Sequence, residues 1–142
     1  MVEKEQQEVQ QKYILLQMIE NQMRQIEQDI REISNRNQDL SLLKNHLDTL
    51  KESQANVKLK APIGAGIYVD AELKNSKDVF INIGAGVIVK KTIPEAKSII
   101  DKQIGEMERA LDQLSKNIET LASKAQETQH ELQHLMNTEH EH

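Results

Sequence analysis

Ile63-Gly64-Ala65-Gly66-Ile67-Tyr68-Val69 recurs twenty residues later as Ile83-Gly84-Ala85-Gly86-Val87-Ile88-Val89. In each copy two glycines, which accept φ > 0 at no steric cost, sit between aliphatic residues, so each copy reads as a tight turn joining two strands. The apolar residues around the turns fall on odd positions: Leu59, Ala61, Ile63, Ile67, Val69, Ala71, Leu73, Val79, Ile81, Ile83, Val87 and Val89. Even positions include Lys60, Asp70, Glu72, Asp78, Asn82 and Lys90. A period of two is the mark of half-buried strands. The stretch 57–92 is therefore expected to form two β-hairpins joined by a turn at Asn75-Ser76-Lys77. Pro62 cannot donate to a ladder, which places the first strand at an edge.

On either side runs a heptad arm. The first carries Leu16, Ile19, Met23, Ile26, Ile30, Ile33, Asn37 and Leu40 in alternating steps of three and four. This is the seam of a coiled coil. Leu40, Leu43, Leu47 and Leu50 follow, and the doubled step of three is a stammer that overwinds the coil locally. Asn37, just before it, reads as a polar residue tolerated beside a packing defect. The second arm runs Ile100, Ile104, Met107, Leu111, Leu114, Ile118, Leu121, Ala125, Thr128, Leu132 and Leu135 without a fault. Thr92 is its expected cap, and Pro94 fits the first helical turn.

Each arm has one apolar stripe and must bury it on another helix. Hairpins bring their ends together, so the arms are expected to pair antiparallel over a length on the order of 60 Å. Matching Leu50 with Ile100 puts Leu16 opposite about Leu135. The fold class is α+β: a long antiparallel two-helix coiled coil with two β-hairpins inserted between the helices. The expected division is 1–56 for the first helix, 57–92 for the hairpins and 93–142 for the second helix. The arms leave the hairpins and, on this reading, cannot cover them. Four short strands with open edges need partners from other subunits, so oligomerisation follows from the pattern itself.

Composition narrows the function. The chain has 142 residues with one Phe, two Tyr and no Trp, which excludes an aromatic core. It has no Cys, so neither a disulfide framework nor a thiolate zinc site is available. The net charge is −5 with both signs interspersed and no basic patch among aromatics, so nucleic acid is not an expected partner. No apolar run approaches a membrane span and the first residues do not read as a signal peptide, so a cytoplasmic location is expected.

His130-Glu131-Leu132-Gln133-His134 spells the HExxH of zinc hydrolases, with His140 six residues further on. The context opposes that reading. Leu132 and Leu135 belong to the seam, so His130 and His134 take the outer face, and nothing upstream builds the water-excluding cleft a hydrolase requires. The Gly-Ala-Gly turns lack the third glycine of a dinucleotide fingerprint and are followed by strands, not helices. No cofactor, no metal and no enzymatic activity are expected. The remaining candidate is the pair of helix ends. The second seam weakens through Ala125 and Thr128 before resuming at Leu132 and Leu135, with Met136 beside it, and the first thins out through Lys12, Val9, Glu5 and Val2. The tips are therefore expected to expose a few apolar side chains, either as ordinary terminal fraying or as a soft, adaptable contact surface.

Leu59-x-x-Pro62-Ile63-Gly64-x-Gly66-x-Tyr68-Val69-x-Ala71, followed by Val79-x-Ile81-x-Ile83-Gly84-Ala85-Gly86-Val87-x-Val89-x-Lys91 and Ala96, resembles the archaeal prefoldin alpha family. The resemblance covers the whole arrangement of arm, two hairpins and arm. It implies an ATP-independent co-chaperone subunit, in which two alpha and four beta subunits assemble through their hairpins into a β-barrel platform carrying coiled-coil tentacles. Non-native client proteins are then held at the tips and passed to a group II chaperonin. Mapped onto this chain, assembly falls to Ile63, Gly64, Gly66, Ile67, Val69, Val79, Ile81, Ile83, Gly84, Gly86, Val87 and Val89. Client contact falls to Val2, Val9, Leu132, Leu135 and Met136, with the weight on the C-terminal tip because Glu3 to Lys12 is polar. The alternatives are a scaffold or filament-forming coiled coil that holds no clients and, more distantly, the zinc hydrolase.

Overall fold

The computed structural model describes residues 2–53 and 56–140, the side chains of residues 2 and 138–140 excepted. Helix α1 (Val2–Glu52) leads into β1 (Val57–Gly64), β2 (Ile67–Leu73), β3 (Asp78–Gly84) and β4 (Val87–Thr92), and helix α2 (Ile93–His140) follows. The strands form two separate two-stranded antiparallel sheets, β1–β2 and β3–β4. The architecture is therefore the α+β one expected: two long helices with two hairpins between them.

The repeated heptapeptide builds the same turn twice. Gly64 pairs with Ile67 and Gly84 with Val87, leaving a two-residue loop in each hairpin. Ala65 and Gly66 have φ of 49° and 77°, and Ala85 and Gly86 have 51° and 76°. Two consecutive positive φ values define the type I′ turn, whose twist suits the flanking strands. Ile63 and Ile83 are the extra residues of a bulge just before each turn. Asn82 Oδ1 accepts a 2.9 Å hydrogen bond from the Gly84 N–H at the second bulge. Between the hairpins, Asn75 Oδ1 accepts from the Lys77 N–H at 2.8 Å, and its Nδ2 donates to Asp78 at 3.0 Å.

The chain divides into two compact units. The second comprises Asn37–Glu106 and so takes in both hairpins and the helix segments next to them. Its core is Leu47, Ile93, Ala96 and Ile100, joined by Leu40, Leu50, Ile104 and, from β3, Val79 and Ile81. Ile93 is 1 % exposed. Thr92 caps α2, its hydroxyl accepting from the Glu95 N–H at 3.3 Å. For the second hairpin this corrects the expectation that the arms leave the hairpins uncovered. Helix α2 begins immediately after β4, and its first two turns carry Ile93 and Ala96 onto the seam, where β3 packs on them.

The same early start corrects the register. Lys97 pairs with Asp48, and Lys44 with Asp101 at 2.6 Å, so Ile100 lies well before the level of Leu50. The stammer moves as well. Leu43, expected on the seam, is 44 % exposed, and Lys44 takes the half-buried position instead. A lysine can lay its aliphatic stem along a seam while its ammonium reaches a carboxylate, here Asp101. That keeps alternate spacing through Leu40, Lys44 and Leu47 and defers the doubled step to Leu47–Leu50, where α1 is about to end. Asn37 is half-buried, and its amide oxygen is closed off from solvent without a hydrogen-bond partner.

The first unit pairs the stretch of α1 up to Arg36 with the stretch of α2 from Met107 onward. Ile19, Thr128 and Leu132 are buried, while Leu16, Met23, Ile26, Ile30, Ile33, Met107, Leu111, Leu114, Ile118, Leu121 and Ala125 are half-buried. The helices run antiparallel, since Ile33 lies beside Ala110 and Leu114 whereas Lys12 meets Glu131. Here too the register is shifted from the one expected. Lys12, four residues ahead of Leu16, is already level with Glu131, so Leu16 does not reach Leu135.

Candidate functional site

The HELQH segment lies on an uninterrupted helix. His130 and His134 are exposed, and the carboxylate of Glu131, the would-be base, is engaged by the Lys12 ammonium. That hydrogen bond holds the Lys12 pKa above its ordinary value. Helix α2 continues through His140, whose side chain lies outside the described residues. A helical position six residues beyond His134 is turned by about 240° from it, so the three histidine positions do not share one face. Among the described residues no group of three or more His, Cys, Asp or Glu side chains is placed to hold a metal ion.

The helix ends differ from the frayed tips expected. Leu132 is 6 % exposed, closed into the coiled coil. Val9 and Leu135 are half-buried, Met136 is exposed, and the side chain of Val2 lies outside the described residues. Helix α1 is continuous through this level, where Val9 and Lys12 take half-buried positions and Lys12 meets Glu131, so the seam stays closed around Leu132.

The open apolar surface of this unit lies on α1 instead. Tyr13, Ile14, Leu15 and Met18 are all exposed, Leu15 by 42 % and Met18 by 54 %. Ile14, Leu15 and Met18 stand at i, i+1 and i+4, which makes one stripe turned away from the seam. Beside it, a groove of about 430 Å³ runs between the helices, its apolar lining Leu15, Met18, Ile19 and Leu121 and its charged lining Lys12, Lys124, Glu127 and Glu131. Between Gln10 and Gln25 the only charged residues are Lys12, Glu20 and Arg24, and the other polar neighbours are amides. The stripe itself is aliphatic, and the groove beside it carries two charges of each sign. The sequence held one signal for it. Tyr13-Ile14-Leu15-Leu16 is a run of four apolar residues where the seam uses only Leu16.

The hairpins present a second open surface. Ile63, Ile67, Val69, Ile83 and Val87 are exposed, and Val89 is half-buried. The turn glycines are exposed, and nothing lies within 4 Å of the space a side chain would take at Gly64, Gly66, Gly84 or Gly86. Val79 and Ile81, expected to face other subunits, pack instead on the chain's own helix core. Three exposed residues of the opposite, even-numbered face were missed by the odd-position pattern: Tyr68, Phe80 and Ile88. No helix of the described residues is long and apolar enough to cross a membrane.

Comparison with known proteins is consistent with this geometry. The family model described as Prefoldin subunit matches residues 16–138. Prefoldin subunit alpha of Archaeoglobus fulgidus is 24 % identical over 125 residues, covering 88 % of this chain and 91 % of that protein. Prefoldin subunit alpha of Methanobrevibacter smithii is 34 % identical over 84 residues, and the match spans 59 % of this chain and 57 % of that protein. The counterpart from Pyrococcus horikoshii is 30 % identical over 105 residues, covering 63 % of this chain and 71 % of that protein. Among solved structures, a cryo-EM structure of filamentous PFD from Methanocaldococcus jannaschii superposes with a TM-score of 0.74 at 16 % identity. That superposition covers 81 % of this chain and 95 % of that one, and at this identity it bears on the fold alone. With the family model spanning most of both helices and both hairpins, the chain belongs to the prefoldin subunit family, a family of non-enzymatic chaperones, and is similar to its archaeal alpha members.

Proposed function

We propose that this chain is the alpha-type subunit of an ATP-independent holdase, joined through its hairpins to beta-type subunits, two alpha with four beta. The complex holds non-native proteins in the cytoplasm and hands them to a group II chaperonin. The observation that carries the reading is the open stripe Ile14–Leu15–Met18 beside a closed seam. A helix pair that has already buried its own seam gains nothing from three further aliphatic side chains in water, unless another chain covers them.

Holding is physical, not chemical. One stripe of this size binds a segment of unfolded chain weakly, and several such stripes on one platform bind it together through avidity. Avidity also suits release, because weak contacts are displaced one at a time by a competing surface. Tyr13 lies beside the stripe in sequence and is exposed, and Met136 is an exposed large apolar residue of α2. Leu132, being buried, contributes by keeping the helix pair closed.

The test is light scattering from a guanidinium-denatured reporter enzyme diluted into buffer with the complete complex. Changing Ile14, Leu15 and Met18 together to Ser is expected to abolish most of the protection while leaving assembly size and helical content unchanged. Full protection by that triple variant would contradict the assignment.

A further inference from the structure

The chain has no Cys, so its sulfur resides in five methionines. They fall into two kinds. Met23 and Met107 are half-buried on the seams. Met18 is 54 % exposed and Met136 is 41 % exposed, while Met1 lies outside the described residues. Of the two exposed thioethers only Met18 belongs to the α1 stripe, one turn on from Ile14 and Leu15. It also lines the groove between the helices, together with Lys12, Leu121 and Lys124.

A thioether is a soft nucleophile, and no thiol of this chain competes with it for a peroxide. The sulfur lone pair attacks one peroxide oxygen. An S–O bond forms as the O–O bond breaks, the sulfur gives up two electrons, and the other oxygen leaves as water with both protons. The product is a sulfoxide, polar and chiral where the thioether was apolar and flexible. Its oxygen accepts hydrogen bonds strongly, and the groove it faces already holds two lysine donors, Lys12 and Lys124. The same change at Met136 falls on α2 and leaves the stripe as it was. Met23 and Met107 are shielded by the seam, so the helix pair stays closed while its open stripe turns polar at one of three positions.

We propose that Met18 is a site of reversible oxidation by peroxides, and that its conversion to the sulfoxide withdraws the α1 stripe from client binding. A methionine sulfoxide reductase, oxidising two thiols to a disulfide and releasing water, restores the thioether. This inference rests on the client-holding role proposed for the stripe.

The experiment treats the complete complex with hydrogen peroxide, stops the reaction with catalase and follows each methionine by peptide mass spectrometry. Protection of the denatured reporter is compared with that given by the same complex untreated, and circular dichroism checks that the helices persist. Met18 is expected to take up oxygen about tenfold faster than Met23 or Met107. Wild-type protection is expected to fall about threefold or more as Met18 converts, and to return after treatment with the reductase and dithiothreitol. The Met18→Leu complex is expected to keep its own untreated level through the same exposure, whereas Met136→Leu loses protection as the wild type does. Undiminished protection with Met18 fully converted, or an equal loss in Met18→Leu, would overturn the proposal. The complex with Ile14, Leu15 and Met18 all changed to Ser separates the two ideas. If that complex fails to protect and the oxidised one protects fully, the switch is wrong and the holding site stands; if both protect fully, the holding site itself is wrong.

Discussion

The two hairpins start from one repeated heptapeptide and share a turn type, a bulge position and a register offset. Yet hairpin 2 (β3–β4) is anchored and hairpin 1 (β1–β2) is open. The difference lies outside the repeat. Two residues ahead of the shared motif, hairpin 2 has Ile81 where hairpin 1 has Ala61, and β4 runs straight into α2, which carries Ile93 and Ala96 up against β3. Local sequence decided the shape of each hairpin, and connectivity decided which one acquired a core. One hairpin can therefore steady the chain while the other stays available for assembly.

The largest expected effect comes from removing that anchor. Ile93→Ala deletes the most deeply buried side chain of the second unit and is expected to cost about 3 kcal/mol in a urea unfolding curve of the isolated chain. Next comes the contrast between one isoleucine of each hairpin. Ile81→Ala is expected to cost about 1–2 kcal/mol in the same measurement, because its side chain is half-buried against the helices. Ile63→Ala, on the open hairpin, is expected to change it by less than about 0.5 kcal/mol. Equal losses at the two positions would erase the distinction between an anchored and an open hairpin.

A smaller change sharpens it from the other side. Ala65 and Ala85 both hold positive φ, a conformation that Asn adopts more readily than Ala and that Asn-Gly supplies in type I′ turns. Ala85→Asn is expected to stabilise the chain by about 0.5–1 kcal/mol, seen as a shift in the urea midpoint. Ala65→Asn is expected to slow amide exchange within hairpin 1 and to leave the global midpoint in place, since the anchor does not depend on that hairpin.

The smallest effect belongs to the exposed pair Lys12–Glu131 in the first unit. The Lys12 pKa is raised above its ordinary 10.5, first by the hydrogen bond it donates to Glu131. A raised lysine pKa adds stability that is fully present below the ordinary value and is lost as pH rises through the raised one. Lys12→Gln is therefore expected to lower the urea midpoint slightly near neutral pH and by nothing in strongly alkaline buffer. A deficit that persisted after the lysine had lost its proton would show that packing, not charge, was removed.

Much of this was legible in the residues. The period of two between Leu59 and Val89 and the Gly-Ala-Gly repeat specified both hairpins, since each demands its own backbone geometry. The heptads specified two helices with one stripe each. What could not be read was registration. Matching Leu50 to Ile100 overlooked Ile93 and Ala96, because an Ile ahead of a Pro reads as the end of a strand rather than as the first seam residue of a helix. The weakening of the seam through Ala125 and Thr128 and the polar run Glu3 to Lys12 read as fraying ends, yet α1 stays helical there and covers Leu132, while Ile14, Leu15 and Met18 stand open. Leu43 was misplaced for a different reason. Hydropathy ranks Leu above Lys44, but only Lys44 keeps the heptad spacing and can also reach Asp101.

The central claim is that clients are held on the α1 stripe and not at the end of α2. The most direct measurement places a photo-crosslinking amino acid at Leu15, Met18 or Leu132, one at a time, in the complete complex with a denatured reporter protein bound. The account predicts client adducts from positions 15 and 18 and, at position 132, crosslinks confined to α1 of the same chain. Client adducts concentrated at position 132, with none at 15 or 18, would contradict it.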